Sequence, residues 1–259
     1  MASAAEQTTL ALLAQSVDYG ESDRVCTLLT REIGRVTAFA RAARRSRRRF
    51  GGALGLFVVG EATLKSRRSG QMLSLERFVV TQDLSVALSR DVVKVAHASY
   101  MVELAREVWP EHQREPAIFE LLVDALATLA RLAPTATLLR AYEYRLLSLA
   151  GIVPILEQCA RCGGSAIGEG LAINLQIGGV ICRDCGPVGQ PVSAALISYL
   201  GQLDRDELAQ RAADQVDRDT AYTARELLQQ VIHGHLGREL KTLKVIAQLR
   251  GQLSSDSSR

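Results

Sequence analysis

The sequence lacks the features from which most membrane anchors and catalytic sites are built. No apolar run approaches the roughly 18 residues that a spanning helix needs. The first residues show neither a basic segment nor the long apolar stretch of a secretory signal. A P-loop, a glycine-rich dinucleotide turn, an HExxH motif and a GxSxG motif are also absent. These absences favour a cytoplasmic protein, with no membrane partner, that is not an enzyme.

Aromatic residues are scarce, and acidic residues are missing from one long stretch. Aromatic side chains make up 5% of the chain, and no acid occurs between Glu32 and Glu61. Residues 1–82 carry 13 basic against 7 acidic side chains, whereas the remaining residues carry 18 against 21. Positive charge is therefore concentrated in the N-terminal third, as expected of a region that meets a polyanion.

The N-terminal third consists of five short runs rich in Val, Leu, Thr and Phe, separated by turn residues. The runs cover residues 8–19, 23–32, 34–44, 56–67 and 71–81. Alternation is clearest in the third run, where Val36, Ala38 and Ala40 share one face. Five short strands in this length predict a small closed barrel, the OB-fold, at residues 1–82.

From Asp83 onward the apolar residues recur at three- and four-residue spacing, which predicts helices. The helical stretches cover residues 83–109, 117–133, 137–151, 193–203, 217–240 and 241–249. Glu103 and Glu107 have helical spacing and indicate a solvated face. The sequence thus predicts a multidomain protein, with an all-α domain at residues 83–253 and a disordered tail at 254–259.

Four of the five cysteines form two CxxC pairs, Cys159 with Cys162 and Cys182 with Cys185. Two such pairs supply four thiolates for a tetrahedral metal site, the arrangement that zinc prefers. Disulfides and a redox-active CxxC are the alternatives, although no sign of secretion favours the first and no βαβ pattern favours the second. We predict one structural zinc ion in an insertion at residues 157–190. Since four cysteines saturate the metal, no open position remains to activate water.

The densest charge lies between the third and fourth predicted strands. The arginines there are Arg41, Arg44, Arg45, Arg47, Arg48 and Arg49. On a barrel that binds single strands, such a loop can track phosphates, and the planar guanidinium binds phosphate in two places. A solvated charge run without a partner and a targeting segment are the alternatives.

A smaller basic series lies near the C-terminus, where Arg238, Lys241 and Lys244 recur every three residues. A solvated face near a helix C-terminus explains the spacing. A second contact for nucleic acid or for an acidic partner is the alternative.

Three blocks of the sequence form a recognisable series: DYGESDRVCTLLTREIGRVTAFARAARRSRRRFGGAL, YEYRLLSLAGIVPILEQCARCGG and HLGRELKTL. In their residues and their order they resemble the RecO family of bacterial DNA repair and recombination mediators. The resemblance implies an N-terminal OB-fold followed by a helical domain with a zinc-ribbon-like insertion. It also implies a cytoplasmic, nucleoid-associated protein that is not an enzyme.

The resemblance further implies binding of single- and double-stranded DNA and annealing of complementary strands. The implied partners are RecR, the C-terminal tail of single-stranded-DNA-binding protein and, in some bacteria, RecF; together they help RecA load onto covered single strands. Arg35 and Lys65 would extend the basic DNA-binding surface of the arginine loop. A zinc-dependent nucleic-acid-processing enzyme remains one alternative. An RNA-binding OB-fold protein is another, because sequence chemistry does not separate DNA from RNA.

Overall fold

The computed structural model describes residues 6–50, 54–66, 72–166, 168–186, 188–205 and 207–256. The chain divides into two compact units. The first is Met1–Ala133 together with Leu240–Arg259, and the second is Pro134–Glu239. The domain boundary that the sequence pattern suggested between residues 82 and 83 stays a prediction.

The first unit contains a closed five-stranded barrel. Its strands are β1 Glu6–Tyr19, β2 Asp23–Thr30, β3 Gly34–Ala40, β4 Val58–Lys65 and β5 Leu73–Asp83, and a short helix, α1 Arg47–Phe50, lies between β3 and β4. The strand order is β1-β2-β3-β5-β4, with β4 pairing back onto β1. Only the short β3–β5 contact among these pairings is parallel. The predicted OB-like barrel is confirmed.

Alternation along the strands builds the barrel core. In β3 the buried residues Val36, Ala38 and Ala40 alternate with half-buried ones, as the sequence predicted. Cys26 of β2 is fully buried in the same core, where desolvation raises the pKa of its thiol. This cysteine therefore packs as a small apolar side chain.

Four helices of the first unit accompany the barrel: α2 Ser85–Ser89, α3 Val92–Val108, α4 Pro116–Arg131 and α9 Lys241–Asp256. The single helix predicted over 83–109 is two helices. The break occurs at Asp91, whose carboxylate accepts a hydrogen bond from the Val93 amide at 2.8 Å and so begins a new helix. Helix α3 packs against α9, the last helix of the chain.

The prediction that Glu103 lies on a solvated face is wrong. Its residue is 7% exposed, and its carboxylate accepts hydrogen bonds from the Lys241 amide at 3.1 Å and from the Thr242 amide at 2.9 Å. The Thr242 hydroxyl donates a third bond at 2.6 Å. A glutamate of α3 thus satisfies amides at the start of α9 that have no partner within their own helix.

Gly34 brings the barrel and the segment after α3 into close contact. Its φ is +88°, and a Cβ at this position would lie 2.1 Å from the Gln113 carbonyl oxygen. We expect Gly34→Ala to lower the free energy of unfolding by about 3 kcal/mol or more, because it adds a backbone clash to left-handed strain. Urea denaturation measures the loss.

Gly20→Ala is the matched control for this substitution. Gly20 has a φ of +61°, but an added Cβ would meet no atom within 4 Å. We therefore expect a loss of only about 1 kcal/mol from the left-handed conformation. Equal losses for the two variants would show that the Gln113 contact relaxes without cost.

The second unit is helical, with a small three-stranded sheet. Its elements are α5 Ala136–Leu149, β6 Ala172–Asn174, β7 Gly179–Ile181, β8 Gln190–Pro191, α6 Ala194–Gln202, α7 Leu208–Arg211 and α8 Arg218–Leu236. On α5 a buried ion pair joins Arg140 and Glu143 at 2.6 Å. Gly237, at φ +65°, ends α8 in the left-handed cap conformation.

The first residues of the predicted disordered tail belong to a helix. Helix α9 continues to Asp256, so residues 254–256 of the predicted disordered tail are helical, and residues 257–259 lie outside the described residues. Across the described ranges, no helix is long and apolar enough to cross a membrane.

Candidate nucleic-acid interface and metal centre

Residues 41–50, the arginine segment, are tied by their backbone to the turn between β1 and β2. The Ala42 amide donates to the Asp23 carboxylate at 2.7 Å, and the Arg44 amide donates to the Ser22 carbonyl at 3.0 Å. Ala42 has a left-handed φ of 52°, and its carbonyl accepts bonds from the Arg45 and Ser46 amides. The basic charge is therefore carried on a defined turn next to the end of β1.

The second half of the segment is the short helix α1, which the sequence did not predict. Phe50 anchors it, since this side chain is 1% exposed in the barrel core. The Arg49 guanidinium lies 5.1 Å from the centre of the Phe50 ring and donates to the Ser46 hydroxyl and the Arg41 carbonyl. Arg49 thus holds the segment together, and the side chain of Arg47 lies outside the described part of α1.

Four arginines of the segment, Arg41, Arg44, Arg45 and Arg48, are exposed, and the structure gives them weak ion pairs or none. Arg44 lies 3.7 Å from Asp18, and Arg45 lies 3.4 Å from Glu21. No ion pair within the described ranges involves Arg41 or Arg48. Exposed pairs contribute about 0–1 kcal/mol each. A phosphate can therefore replace the carboxylates at little cost.

Arg24 is a basic residue of this surface that sequence reasoning missed. It lies on β2, and its guanidinium contacts Asp18 at 3.0 Å and the Leu54 carbonyl at 3.3 Å. Asp18 therefore bridges Arg24 and Arg44. The pairing of β2 with β3 places Arg24 opposite Ala40, next to the start of the arginine segment. This neighbourhood depends on which strands pair, so the sequence alone did not show it.

Two further predicted DNA-binding residues, Arg35 and Lys65, lie outside the arginine segment, on strands of the barrel. Arg35 donates to the Trp109 carbonyl at 2.9 Å and pairs with Glu111 at 3.5 Å, so it ties the barrel to the segment after α3. Lys65 ends β4 and is half-buried. Their DNA contacts stay predictions.

The four cysteines of the CxxC pairs form one cluster in the second unit. Their sulfur atoms all lie within 4.8 Å of one another, and the Sγ atoms of Cys162 and Cys182 are 3.8 Å apart. A tetrahedral zinc with bonds of about 2.3 Å separates its sulfur ligands by about 3.8 Å. The residues therefore fit a tetrahedral four-sulfur metal site.

Two tight turns present the thiols. Cys159 precedes a turn that ends at Gly163, with φ +73°, and Cys182 follows β7 and begins a 3-10 turn that ends at Gly186, with φ +86°. A glycine takes the positive φ at both positions, because a residue without a Cβ adopts this conformation at no steric cost. The Arg161 and Cys182 amides lie 3.4 Å from the Cys159 sulfur.

Cys159 and Cys185 have thiol pKa values shifted in opposite directions, by backbone amides in the first case and by neighbouring thiols in the second. Hydrogen bonds from the amides of Cys182 and then of Cys162 lower the pKa of Cys159 to about 6. Hydrogen bonds with the thiols of Cys162 and Cys182 raise the pKa of Cys185 to about 12. Four thiolates this close repel one another, so a bound cation is needed to ionise them all.

The second basic series lies on two elements and not on one helical face. Arg238 follows the end of α8, whereas Lys241 and Lys244 lie in the first turns of α9. The interpretation as a face near a helix C-terminus is therefore wrong for the two lysines, because the dipole at a helix N-terminus disfavours cations. Their role as a partner or DNA contact stays a prediction.

Comparison with known proteins agrees with this arrangement over most of the chain. The family model "Recombination protein O N terminal" matches residues 1–83, and "Recombination protein O C terminal" matches residues 89–244. The first match covers the barrel, and the second covers the cysteine cluster and the first turn of α9.

Similar curated proteins are named DNA repair protein RecO. One from Anaeromyxobacter dehalogenans (strain 2CP-C) is 39% identical over 242 residues, covering 92% of this chain and 94% of the relative. One from Myxococcus xanthus (strain DK1622) is 38% identical over 239 residues, covering 92% and 96%. One from Pelobacter propionicus is 31% identical over 252 residues, covering 93% and 96%.

Proposed function

Because the chain belongs to the RecO family of DNA repair proteins, we propose that it is a DNA-binding recombination mediator. It binds single- and double-stranded DNA and anneals complementary strands. With RecR it helps load RecA onto single strands covered by single-stranded-DNA-binding protein. It catalyses no covalent step.

One observation carries the proposal: an OB-like barrel holds a run of exposed arginines beside the turn after β1. On OB-folds this turn and the β2–β3 face form the usual surface for oligonucleotides. Arginine suits phosphate because its donors form a rigid fork. The weak pairs with Asp18 and Glu21 leave the guanidiniums available to phosphates.

Annealing follows from charge neutralisation alone. Two single strands repel each other through their phosphates, and arginines that neutralise those phosphates lower the repulsion between strands held on one protein. Neither a nucleotide cofactor nor a free divalent metal ion takes part in this step. Arg41, Arg44, Arg45 and Arg48 make the main contacts, with Arg24, Arg35 and Lys65 at the margins.

We infer that the metal of the cysteine cluster is one structural zinc ion, held by Cys159, Cys162, Cys182 and Cys185. A structural zinc supplies folding free energy, and four thiolates leave no position for water. This donor set disfavours the zinc-dependent nucleic-acid enzyme that the sequence left open. The family membership favours DNA over RNA.

The protein partners follow from the family. RecR and, in some bacteria, RecF act with the protein in the bacterial cytoplasm, where the nucleoid lies. The acidic C-terminal tail of single-stranded-DNA-binding protein is expected to meet basic side chains. Arg238, Lys241 and Lys244 are exposed and remain the residues proposed for this contact.

We expect the purified protein to speed annealing of two complementary labelled oligonucleotides by about tenfold or more at low salt, because electrostatic attraction raises local strand concentration. The measurement is energy transfer between the labels, with a chelator present and no nucleotide. Raising the salt should abolish the gain, since counterions then compete for the phosphates. Gel analysis of the strands should show full-length DNA.

Two results would contradict the proposal. One is an annealing rate equal to that of free strands at low salt, with the protein shown to be folded by circular dichroism. The other is shortened or deaminated DNA that disappears in Cys162→Ser while circular dichroism shows the variant still folded, which would favour the zinc-dependent enzyme.

A further inference from the structure

We propose that the ring of Tyr19, held by Phe39, is a stacking platform for unpaired bases of single-stranded DNA. This inference rests on the proposed function and adds a contact that distinguishes single strands from duplexes. The arginine segment binds phosphates, which both forms of DNA carry. A ring that stacks on a base needs that base to be unpaired and turned outward.

Exposure separates Tyr19 from the phenylalanines of the barrel. Phe50, Phe57 and Phe78 are 1%, 5% and 3% exposed and belong to the interior. Tyr19 is 61% exposed, and Phe39 is half-buried on the outer face of β3. The Tyr19–Phe39 pair is therefore the aromatic surface that the described part of the barrel offers to a ligand.

The two rings support each other. Their centres lie 5.6 Å apart, and their planes meet at 78°, an edge-to-face arrangement. Such pairs contribute beyond the area that they bury, so Phe39 restrains the Tyr19 ring. A restrained ring loses little freedom when a base stacks on it. Phe39 is thus a positioning residue, and Tyr19 makes the contact.

An apolar row extends from Phe39 across the outer face of the barrel. The strand register pairs Val17 with Val25, and Val25 with Phe39. Val17 is 54% exposed, although it is a large apolar side chain. Paired residues project from the same face of a sheet, so these side chains form a continuous strip beside Tyr19.

The row continues to a basic residue on its other side. Phe39 pairs with Ser74 of β5, and Ser74 pairs with Lys65 of β4. Lys65 therefore lies two strand spacings, about 10 Å, from Phe39. On the opposite side, the Tyr19 backbone pairs with Asp23, whose carboxylate holds the Ala42 amide of the arginine segment. Basic groups thus flank the apolar row on two sides.

This charge pattern identifies the occupant. A partly exposed aromatic and aliphatic strip between arginines and a lysine matches a polymer with flat apolar bases and a phosphate on every unit. A duplex presents the same phosphates but keeps its bases stacked inside. The strip therefore serves single strands.

The test compares Tyr19→Ala with the native full-length protein on single-stranded and double-stranded oligonucleotides. We expect Tyr19→Ala to weaken single-strand binding about 5- to 100-fold, the range for loss of one stacked base. Duplex affinity should change by less than about twofold. The slope of log affinity against log salt should stay the same, because no phosphate contact is lost.

A second readout reports stacking itself. The fluorescence of 2-aminopurine in an oligonucleotide is quenched when that base stacks on an aromatic ring. The native protein should therefore quench this fluorescence, and Tyr19→Ala should not. Tyr19→Phe keeps the ring and should restore quenching and affinity. Tyr222→Ala removes another exposed tyrosine, 62% exposed on α8, and should behave as native.

Three outcomes are distinguishable. Native single-strand binding that is unchanged in Tyr19→Ala overturns the stacking platform and leaves the proposed function standing. Equal losses on single strands and duplexes, with a lower salt slope, also overturn it, since they assign Tyr19 to phosphate binding. Failure of the native protein to bind any DNA at low salt overturns the proposed function, and the platform with it.

Discussion

Replacing Arg41, Arg44, Arg45 and Arg48 together with Ala is expected to weaken single-stranded DNA binding by about 100-fold or more at low salt. Each lost phosphate contact should also reduce the log–log salt slope by about 0.7, so four contacts reduce it by nearly 3. Fluorescence anisotropy of a labelled oligonucleotide, titrated at several salt concentrations, measures both quantities. Loss of affinity with a flatter slope places the phosphates on the arginine segment.

The choice of four arginines follows from the structure. Arg49 is left in place because it contacts Phe50, Ser46 and the Arg41 carbonyl, and its loss would disturb the segment itself. A control variant replaces Arg90, Arg114, Arg205 and Arg218, which are also exposed, and changes the net charge equally. Should both variants lose the same affinity, binding would depend on net charge and the arginine segment would have no special role.

Removal of the metal is expected to unfold the insertion that carries the four cysteines. The three strands around the cluster have two or three residues each, too few to form a stable sheet alone. We expect a strong chelator, or Cys162→Ser, to lower the free energy of unfolding by at least about 3 kcal/mol and the Tm by roughly 10 °C. Calorimetry measures this loss, and elemental analysis should find one zinc per native chain.

Two comparisons make the metal prediction specific. Cys26→Ala removes the fifth cysteine, which lies in the barrel core, and should retain the metal. A reductant without a chelator should leave the native protein unchanged, because thiolates bound to zinc are already reduced. Unfolding by reductant alone, with no effect of the chelator, would show that the cysteines form disulfides.

Acidification should release the metal, since protons compete with zinc for the thiolates. The stability that the metal supplies is therefore present at neutral pH and lost as the pH falls. Cys159 resists this competition best, because amide hydrogen bonds lower the pKa of its thiol.

The sequence predicted the barrel and the cysteine cluster well, because both depend on local patterns. Alternation of apolar residues marks strands such as β3, and CxxC spacing brings two sulfurs together within one turn. The helix break at Asp91 was missed. The Val93 amide donates a hydrogen bond to the Asp91 carboxylate, and this bond and the extended backbone of Asp91 distinguish a cap there from an ordinary helical residue.

Features that depend on distant contacts could not be predicted. Glu103 looked like a solvated acid, because the amides that it binds lie 138 and 139 residues further along the chain. Likewise, nothing in the sequence indicated that Arg35 donates a hydrogen bond to the Trp109 carbonyl, 74 residues further along the chain. Alternation in β3 places Phe39 on the face opposite the buried Val36, Ala38 and Ala40. The contact of Phe39 with Tyr19, however, depends on how β1, β2 and β3 pair, which the sequence does not show.

The contact between Glu103 and the start of α9 has a consequence for synthesis on the ribosome. The first compact unit is made of two chain segments, and all of Pro134–Glu239 is translated between them. Until Lys241 and Thr242 emerge from the ribosome, the Glu103 carboxylate of the nascent N-terminal segment has no access to its partner amides. Closing this long loop costs entropy and slows folding. A chain that stalls before α9 is made therefore has an unfinished first unit, even though its barrel is translated before the second unit.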